Sequence, residues 1–296
     1  MSINQILSKF ILFVSYEQRL SKNTVYAYKK DLSKHISYLT KSNIKNVKNI
    51  RYDDIRKFVI SLSKNNYKAS SINRNISSIK KFHQYMVDFE IIDNNTSELV
   101  EFQKHRRNYP DSLSFNEINL IMNQVPEDSF IGIRDMSILT LLYSTGIRVS
   151  ELINLKLSNI YFEDEYIQVI GKGNKERIAP LGIVAKNALL KYLDSIKLNS
   201  VRSNSGYIYL SYRSKKLTRM SVYNIIKKYV KLAEINKNVS PHTIRHSFAT
   251  HMIEGGADLR IVQELLGHEN ISTTEIYTHL DKTYLKEVHK LCHPRG

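Results

Sequence analysis

The 296-residue chain contains no tryptophan and one cysteine, and its 28 acidic residues are outnumbered by 44 lysines and arginines. A single cysteine, Cys292, excludes an internal disulfide framework and fits a reducing compartment. His289 and His293 flank it, but three ligands on an end expected to fray make a poor zinc site. No apolar run is long enough to span a bilayer. The first stretch, MSINQILSKFILFVSYEQRL, is interrupted by Lys9 and Glu17 and lacks a small-residue cleavage site. It reads as an amphipathic helix rather than a signal peptide, and a cytoplasmic location follows. No phosphate-binding loop of the GxxxxGK[ST] type is present, so no nucleotide-driven motor is implied. Glu163, Asp164 and Glu165 precede a strand and read as a solvated turn, and no carboxylate cluster is built to hold two magnesium ions. A catalytic Ser or Cys elbow, internal repeats and low-complexity segments are absent as well. Neither a metal nor a cofactor is called for.

What is present is positive charge and enough apolar residues for real cores. The net charge is +16 and 42% of residues are apolar. A chain this basic meets a polyanion, either nucleic acid or an acidic membrane surface; an A+T-rich genome would push composition the same way. The length has room for two domains. Residues 1–110 carry 20 Lys+Arg against 9 Asp+Glu, a net +11, whereas residues 111–296 carry 24 against 19, a net +5. Over residues 1–100 the apolar spacing predicts helices near 3–18, 22–41, 52–64 and 70–89. In the last, Ile72, Ile76, Ile79, Phe82, Tyr85, Met86 and Phe89 form the stripe, with Ser70 as cap. This small basic helical domain suits DNA binding; a solvated bundle with basic outer faces is the plainer alternative.

The polar stretch EFQKHRRNYPDS (101–112) breaks the periodicity and reads as a linker. Beyond it, residues 113–296 form a second domain. Ser114 and Glu117 have capping-box spacing, and a long apolar helix ends at Gly146. EYIQVI and RIAPL flank the turn GKGNKE, a β-hairpin pattern. From residue 183 the chain reads as mainly helical. The expected fold is therefore mainly α with a small β-hairpin or sheet: an all-helical N-terminal domain followed by a mixed α+β domain.

SPHTIRHSFATH (240–251) sets the functional question. Ser240 and Pro241 announce a helix start, and Gly255 and Gly256 supply its stop. Its histidines and arginine read as metal ligands, as incidental polar residues, or as a grip on an anion. His242 and His246 are four apart, but no glutamate lies between them and no third ligand follows. His242 and Arg245 lie about 60° apart on the helix wheel, while Ile244, Phe248 and Met252 form an apolar stripe that must face the core. His251 falls across the helix from His242 and reads as incidental. An arginine and an imidazole in a helix's first turn suit a phosphate better than a metal. Phosphoryl transfer without a metal needs further cations, an acid and a nucleophile. Arg148, held by Glu151 one turn later, Lys172 at a hairpin tip, His268 after Gly267, and Tyr277 are candidates. Singly, each has a plain structural alternative: a surface ion pair, a turn lysine, a helix C-cap, and one of 19 tyrosines.

Jointly, TGIRVSEL, GKGNKERIAPLG, SPHTIRHSFATHM and LLGHENISTTEIYTH resemble the successive motif boxes of the tyrosine site-specific recombinases, the phage integrase family. The resemblance covers the whole chain, including LSKNTVYAYKKDL and NYKASSINRNISSIKKFHQYM, and is strongest to the Xer subgroup. It implies a core-binding domain and a catalytic domain with a C-terminal tail helix, clamped around a duplex. It also implies a catalytic set of Arg148, Lys172, His242, Arg245, His268 and Tyr277. Tyr277 would attack the scissile phosphate, leaving a 3′-phosphotyrosyl bond and a free 5′-hydroxyl. Arg148 and Arg245 would bind the non-bridging oxygens, and Lys172 would protonate the departing 5′-oxygen. His242 would help take the tyrosine proton and His268 would donate to the phosphate. The relatives work as a tetramer on two DNA sites, with a sister recombinase and a septal DNA translocase, and resolve chromosome dimers at cell division. In them the end of the chain docks into a neighbouring protomer. DKTYLKEVHKL (281–291) places Tyr284, Val288 and Leu291 on one helical stripe suited to that role; packing on its own domain is the alternative. Two departures from the family pattern, a linker poor in proline and YIYLS where relatives carry a Leu-Phe-Pro run, touch none of the six positions.

Rival readings are a phage or mobile-element integrase, a type IB topoisomerase relaxing supercoils without a defined site, and a DNA-binding protein of this fold that has lost catalysis. An arm-binding domain of the kind many integrases carry is not expected, because the first helix begins almost at Met1.

Overall fold

A computed structural model describes residues 1–104, 112–171, 176–198, 206–211, 213–267 and 282–296. The chain divides into two compact units, residues 1–108 and 109–296.

Among its described residues the first unit has helices joined by turns and loops, and no strand. Helix α1 (Ile3–Leu12) continues as a π-helical turn over Phe13–Glu17, and is followed by α2 (Lys22–Lys41), α3 (Tyr52–Lys64) and α4 (Ala69–Asp88). Their apolar stripes close on one core, in which Phe10 packs edge-on against Tyr28, Phe82 and Tyr85. Asp31 of α2 is fully buried and accepts both arms of Arg74 from α4, at 2.8 and 2.9 Å, so the two longest helices are pinned by a bidentate pair. His35 and His83 are buried in the same core and drop to pKa values of about 3 and about 4; burial is the larger cause for both, with the His83 charge adding to it at His35. Two expectations fail at the ends of α4. The cap is Lys68, with no side-chain hydrogen bond, rather than Ser70, which lies one residue inside the helix. Phe89 is half exposed, because the helix has already ended at Asp88.

The second unit is built around α6 (Phe130–Thr145), which is buried on nearly every face from Ile138 to Thr145. A helix apolar all round must be surrounded. Around it pack α5 (Phe115–Asn123), α7 (Val149–Asn154), α8 (Ile183–Leu198), α9 (Arg219–Leu232) and α10 (Pro241–Glu254). Ser114 and Glu117 form the expected capping box at the start of α5. The expected hairpin is β2 (Tyr166–Ile170) paired antiparallel with β3 (Glu176–Pro180), Val169 opposite Arg177. A two-residue strand β1 (Ile160–Tyr161) adds to its edge, giving the order β1-β2-β3. The acidic residues 163 and 164 are exposed in the β1–β2 turn. Helices α11 (Leu259–Leu266) and α12 (Lys282–Cys292) complete the unit.

The C-terminal end is not frayed. His289 and His293 are buried with rings stacked 5.0 Å apart, and His289 Nε2 donates to Ser144 O at 2.6 Å. The buried face of α12 is Leu285 and His289, with Val288 and Cys292 packed at its edge, whereas Tyr284 and Leu291 are exposed. Tyr284 and Leu291 of the expected stripe are therefore left uncovered by this unit. Two overlapping apolar stripes exist on this helix, and packing against α10 selects the one spaced four residues apart.

Candidate active site

Helix α10 begins as its sequence dictates. Ser240 accepts from Thr243 N at 3.3 Å, Thr243 Oγ1 accepts from Ser240 N at 3.1 Å, and Pro241 occupies the first turn. Ile244, Phe248 and Met252 are buried as the apolar stripe requires. His251 is a packing residue, its Nδ1 2.8 Å from the buried Tyr143 hydroxyl. Ser247 Oγ accepts from Leu113 N at 2.7 Å, tying the start of the second unit to this helix.

Arg245 points into the protein. Its guanidinium donates to Gly146 O at 2.7 Å and to Leu266 O. Gly146 ends α6 in the left-handed region at φ 58°, and a Cβ there would sit 2.5 Å from Phe248 Cδ1. Only glycine satisfies both demands. Two residues later Arg148 caps α7. Its backbone N–H donates to Glu151 Oε2 at 2.7 Å, its Nη1 to Glu151 Oε1 at 3.0 Å, and its Nη2 to Gly267 O at 2.9 Å. The Arg148–Glu151 pair is no surface ion pair: Glu151 is buried, and a second arginine grips it. Arg177 of β3 donates to both carboxylate oxygens, each at 2.8 Å, and its Nε donates to Leu265 O at 3.0 Å.

Two guanidinium groups thus grip one carboxylate, and a third, Arg245, lies close enough to feel its charge. Burial alone would raise the Glu151 pKa; the hydrogen bonds and charge of Arg177, then the contacts of Arg148, offset that and hold it below the usual carboxylate range. Arg245 is pulled down to about 10, by burial first and then by the like charges of Arg148 and Arg177. Three arginines beside one buried carboxylate leave positive charge in excess of negative, which suits an anion. Each guanidinium has five N–H donors, and the contacts above use two of Arg148's and two of Arg245's.

Of the six candidates, the structure brings Arg148 and Arg245 together at the end of α11. His242 is exposed in the first turn of α10, one turn before Arg245. Lys172, His268 and Tyr277 lie outside the described residues; Gly171 after β2 and Gly267 after α11 are the last described positions before the first two. Sequence reasoning missed Arg177, although a signal was available. In a strand Arg177 shares a face with Ala179, which is fully buried, so a charge at that position must have a partner inside.

Comparison with known proteins agrees with this picture. Residues 111–283 match the phage integrase family, and residues 7–89 match the phage integrase N-terminal SAM-like domain. The chain is 40% identical over 295 residues to tyrosine recombinase XerD of Chlorobaculum tepidum, covering 98% of this chain and 96% of that protein. It is 38% identical over 297 residues to tyrosine recombinase XerD of Staphylococcus haemolyticus, covering 98% and 99%. Among solved structures, a lambda integrase tetramer bound to a Holliday junction is similar in fold, with a TM-score of 0.73 and 18% identity over 92% of this chain and 79% of that one.

Proposed function

Because the chain belongs to the phage integrase family of tyrosine recombinases, enzymes that cut and rejoin DNA, we propose that Tyr277 is its nucleophile and that it resolves chromosome dimers at a specific site. Tyr277 attacks the scissile phosphate and the 5′-oxygen leaves, so a phosphodiester is exchanged for a 3′-phosphotyrosyl ester and a free 5′-hydroxyl. The ester retains the energy of the broken bond, and the same steps in reverse rejoin the strand. Arg148 and Arg245 bind the non-bridging oxygens and offset charge growing in the transition state. Lys172 supplies the proton to the departing 5′-oxygen, His242 takes the tyrosine proton, and His268 donates to the phosphate.

The observation that carries this reading is the convergence of Arg148 and Arg245, from different helices, on the carbonyls of Leu266 and Gly267. Two cations therefore meet at the residues that precede His268 in the sequence, which supports the reading. Residues 1–100 serve as the core-binding domain and residues 113–296 as the catalytic domain, joined by the linker 101–112. The protein works as a tetramer on two sites with a sister recombinase, under a septal DNA translocase. The tetrameric lambda integrase of similar fold supports the assembly. Chromosome-dimer resolution requires a cytoplasmic protein; among the described residues no helix is long and apolar enough to cross a membrane.

The test is trapping on a nicked suicide substrate carrying the dimer-resolution site of the source organism. Wild type is expected to give a covalent protein–DNA band on a denaturing gel and Tyr277→Phe none, with binding nearly equal, since one hydroxyl adds little beside many phosphate contacts. Binding without an adduct, even with the sister recombinase added, points to a catalytically silent protein. Neither binding nor adduct points to a mobile-element integrase with another target.

A further inference from the structure

The geometry points to Arg177 as a positioning residue for strand cleavage, one that fixes Glu151 and the end of α11 so that Arg148 and Arg245 are aimed at the phosphate. This rests on the reading of those two arginines as phosphate ligands.

Three consecutive carbonyls at the end of α11 each accept from a different arginine: Leu265 O from Arg177, Leu266 O from Arg245 and Gly267 O from Arg148. Carbonyls of a helix's last turn lack intrahelical donors and point along one axis, so their partners are held as a set. Arg177 differs from the other two. Its side chain is only 8% exposed, and three of its five donors are already used on Glu151 and Leu265. It is spent on protein groups, not kept for a ligand.

Glu151 is the second arm of the device. Its two oxygens accept four hydrogen bonds, two from Arg148 and two from Arg177. Removing Arg177 halves that number and leaves a buried carboxylate with one counter-ion. The contact at Gly267 is equally close: its φ is 65°, and a Cβ there would sit 2.8 Å from Arg177 Cδ. β3, α7 and α11 therefore meet at one guanidinium. Stability alone does not account for it, because apolar replacements of buried ion pairs are often neutral or stabilising. The elements joined are those that carry Arg148 and lead into His268.

The experiment is single-turnover cleavage of the nicked suicide substrate at saturating protein, between pH 5.5 and 8.5 (about the range where a buried carboxylate with a weakened counter-ion titrates), with DNA affinity measured in parallel. Wild type, Arg177→Met, Glu151→Gln and the double variant are compared. Among described residues, the charged groups facing Glu151 are Arg148 from α7, Arg177 from β3 and Arg245 from α10. Arg177→Met is expected to bind DNA within about threefold of wild type and to cleave about 10- to 100-fold more slowly at neutral pH. With Arg177 gone, only the contacts of Arg148 oppose the burial that raises the Glu151 pKa; protonation then releases Arg148, and the variant's rate gains a fall toward acid that wild type lacks. Glu151→Gln added to Arg177→Met removes that pH dependence and slows cleavage little further, because the two act as one unit. Arg177→Lys, which keeps the charge but cannot reach all three acceptors, is expected between wild type and Arg177→Met, and gives the same reading if the methionine variant does not fold. A wild-type rate in either Arg177 variant, or a slower rate with an unchanged pH profile, overturns the inference. A wild type that forms no adduct strikes instead the reading on which it rests.

Discussion

Gly146 answers to two neighbours at once. It turns the chain from α6 toward Arg148, and its carbonyl holds Arg245. Alanine at this position meets the left-handed backbone penalty and the Phe248 ring together. Gly146→Ala is expected to lower unfolding free energy by about 2–4 kcal/mol, read from the urea midpoint at unchanged slope. Cleavage should fall further than the loss of folded protein explains, since the Arg245 acceptor moves with the backbone. Glu151 belongs to the same scale: its spacing to Arg148 is visible as a capping box, but its burial and its grip by Arg177 are not. Both depend on β3, whose Arg177 lies 26 residues further along the sequence, being laid beside α7.

Helices and their ends were the most legible level. Ser240, Pro241, Ser114 with Glu117, and Gly146 act locally, through hydrogen bonds or backbone angles within a few residues, so the sequence reveals them directly. The α4 cap, and which face of α12 packs on its own unit, are not legible locally for the opposite reason. A stripe records which residues are apolar, not which neighbour arrives. Packing also produces a pH dependence that no local pattern shows. His35 and His83 are neutral in the fold, with pKa values of about 3 and about 4, whereas the unfolded chain takes up protons near the ordinary value of about 6.5. The unfolded state therefore binds more protons below that value, and stability falls as pH drops from 6.5 toward 4, by up to about 1.4 kcal/mol per pH unit for each imidazole. Thermal unfolding followed by circular dichroism across that window checks it. His35→Phe should shallow the slope, because the buried ring is kept and its proton is not.

For the whole molecule the dominant property is charge. With +16 overall and +11 within residues 1–110, binding to DNA is expected to be strongly salt-dependent. The affinity of the full chain should fall about a hundredfold or more between roughly 50 and 200 mM salt, as about four or more phosphate contacts require. A flat dependence in a filter-binding or anisotropy titration would contradict it.

The sequence by itself determined the helical character, the hairpin, the basic balance and the motif order that marks the family, because composition, period and local capping chemistry are properties of neighbouring residues. Which face of α12 is covered, that Glu151 is buried, and that three arginines close on three successive carbonyls of α11 were decided only by the tertiary structure. Those contacts join segments separated by up to 119 residues. No local rule carries information over that distance; the packing of α11 against α10 and β3 does.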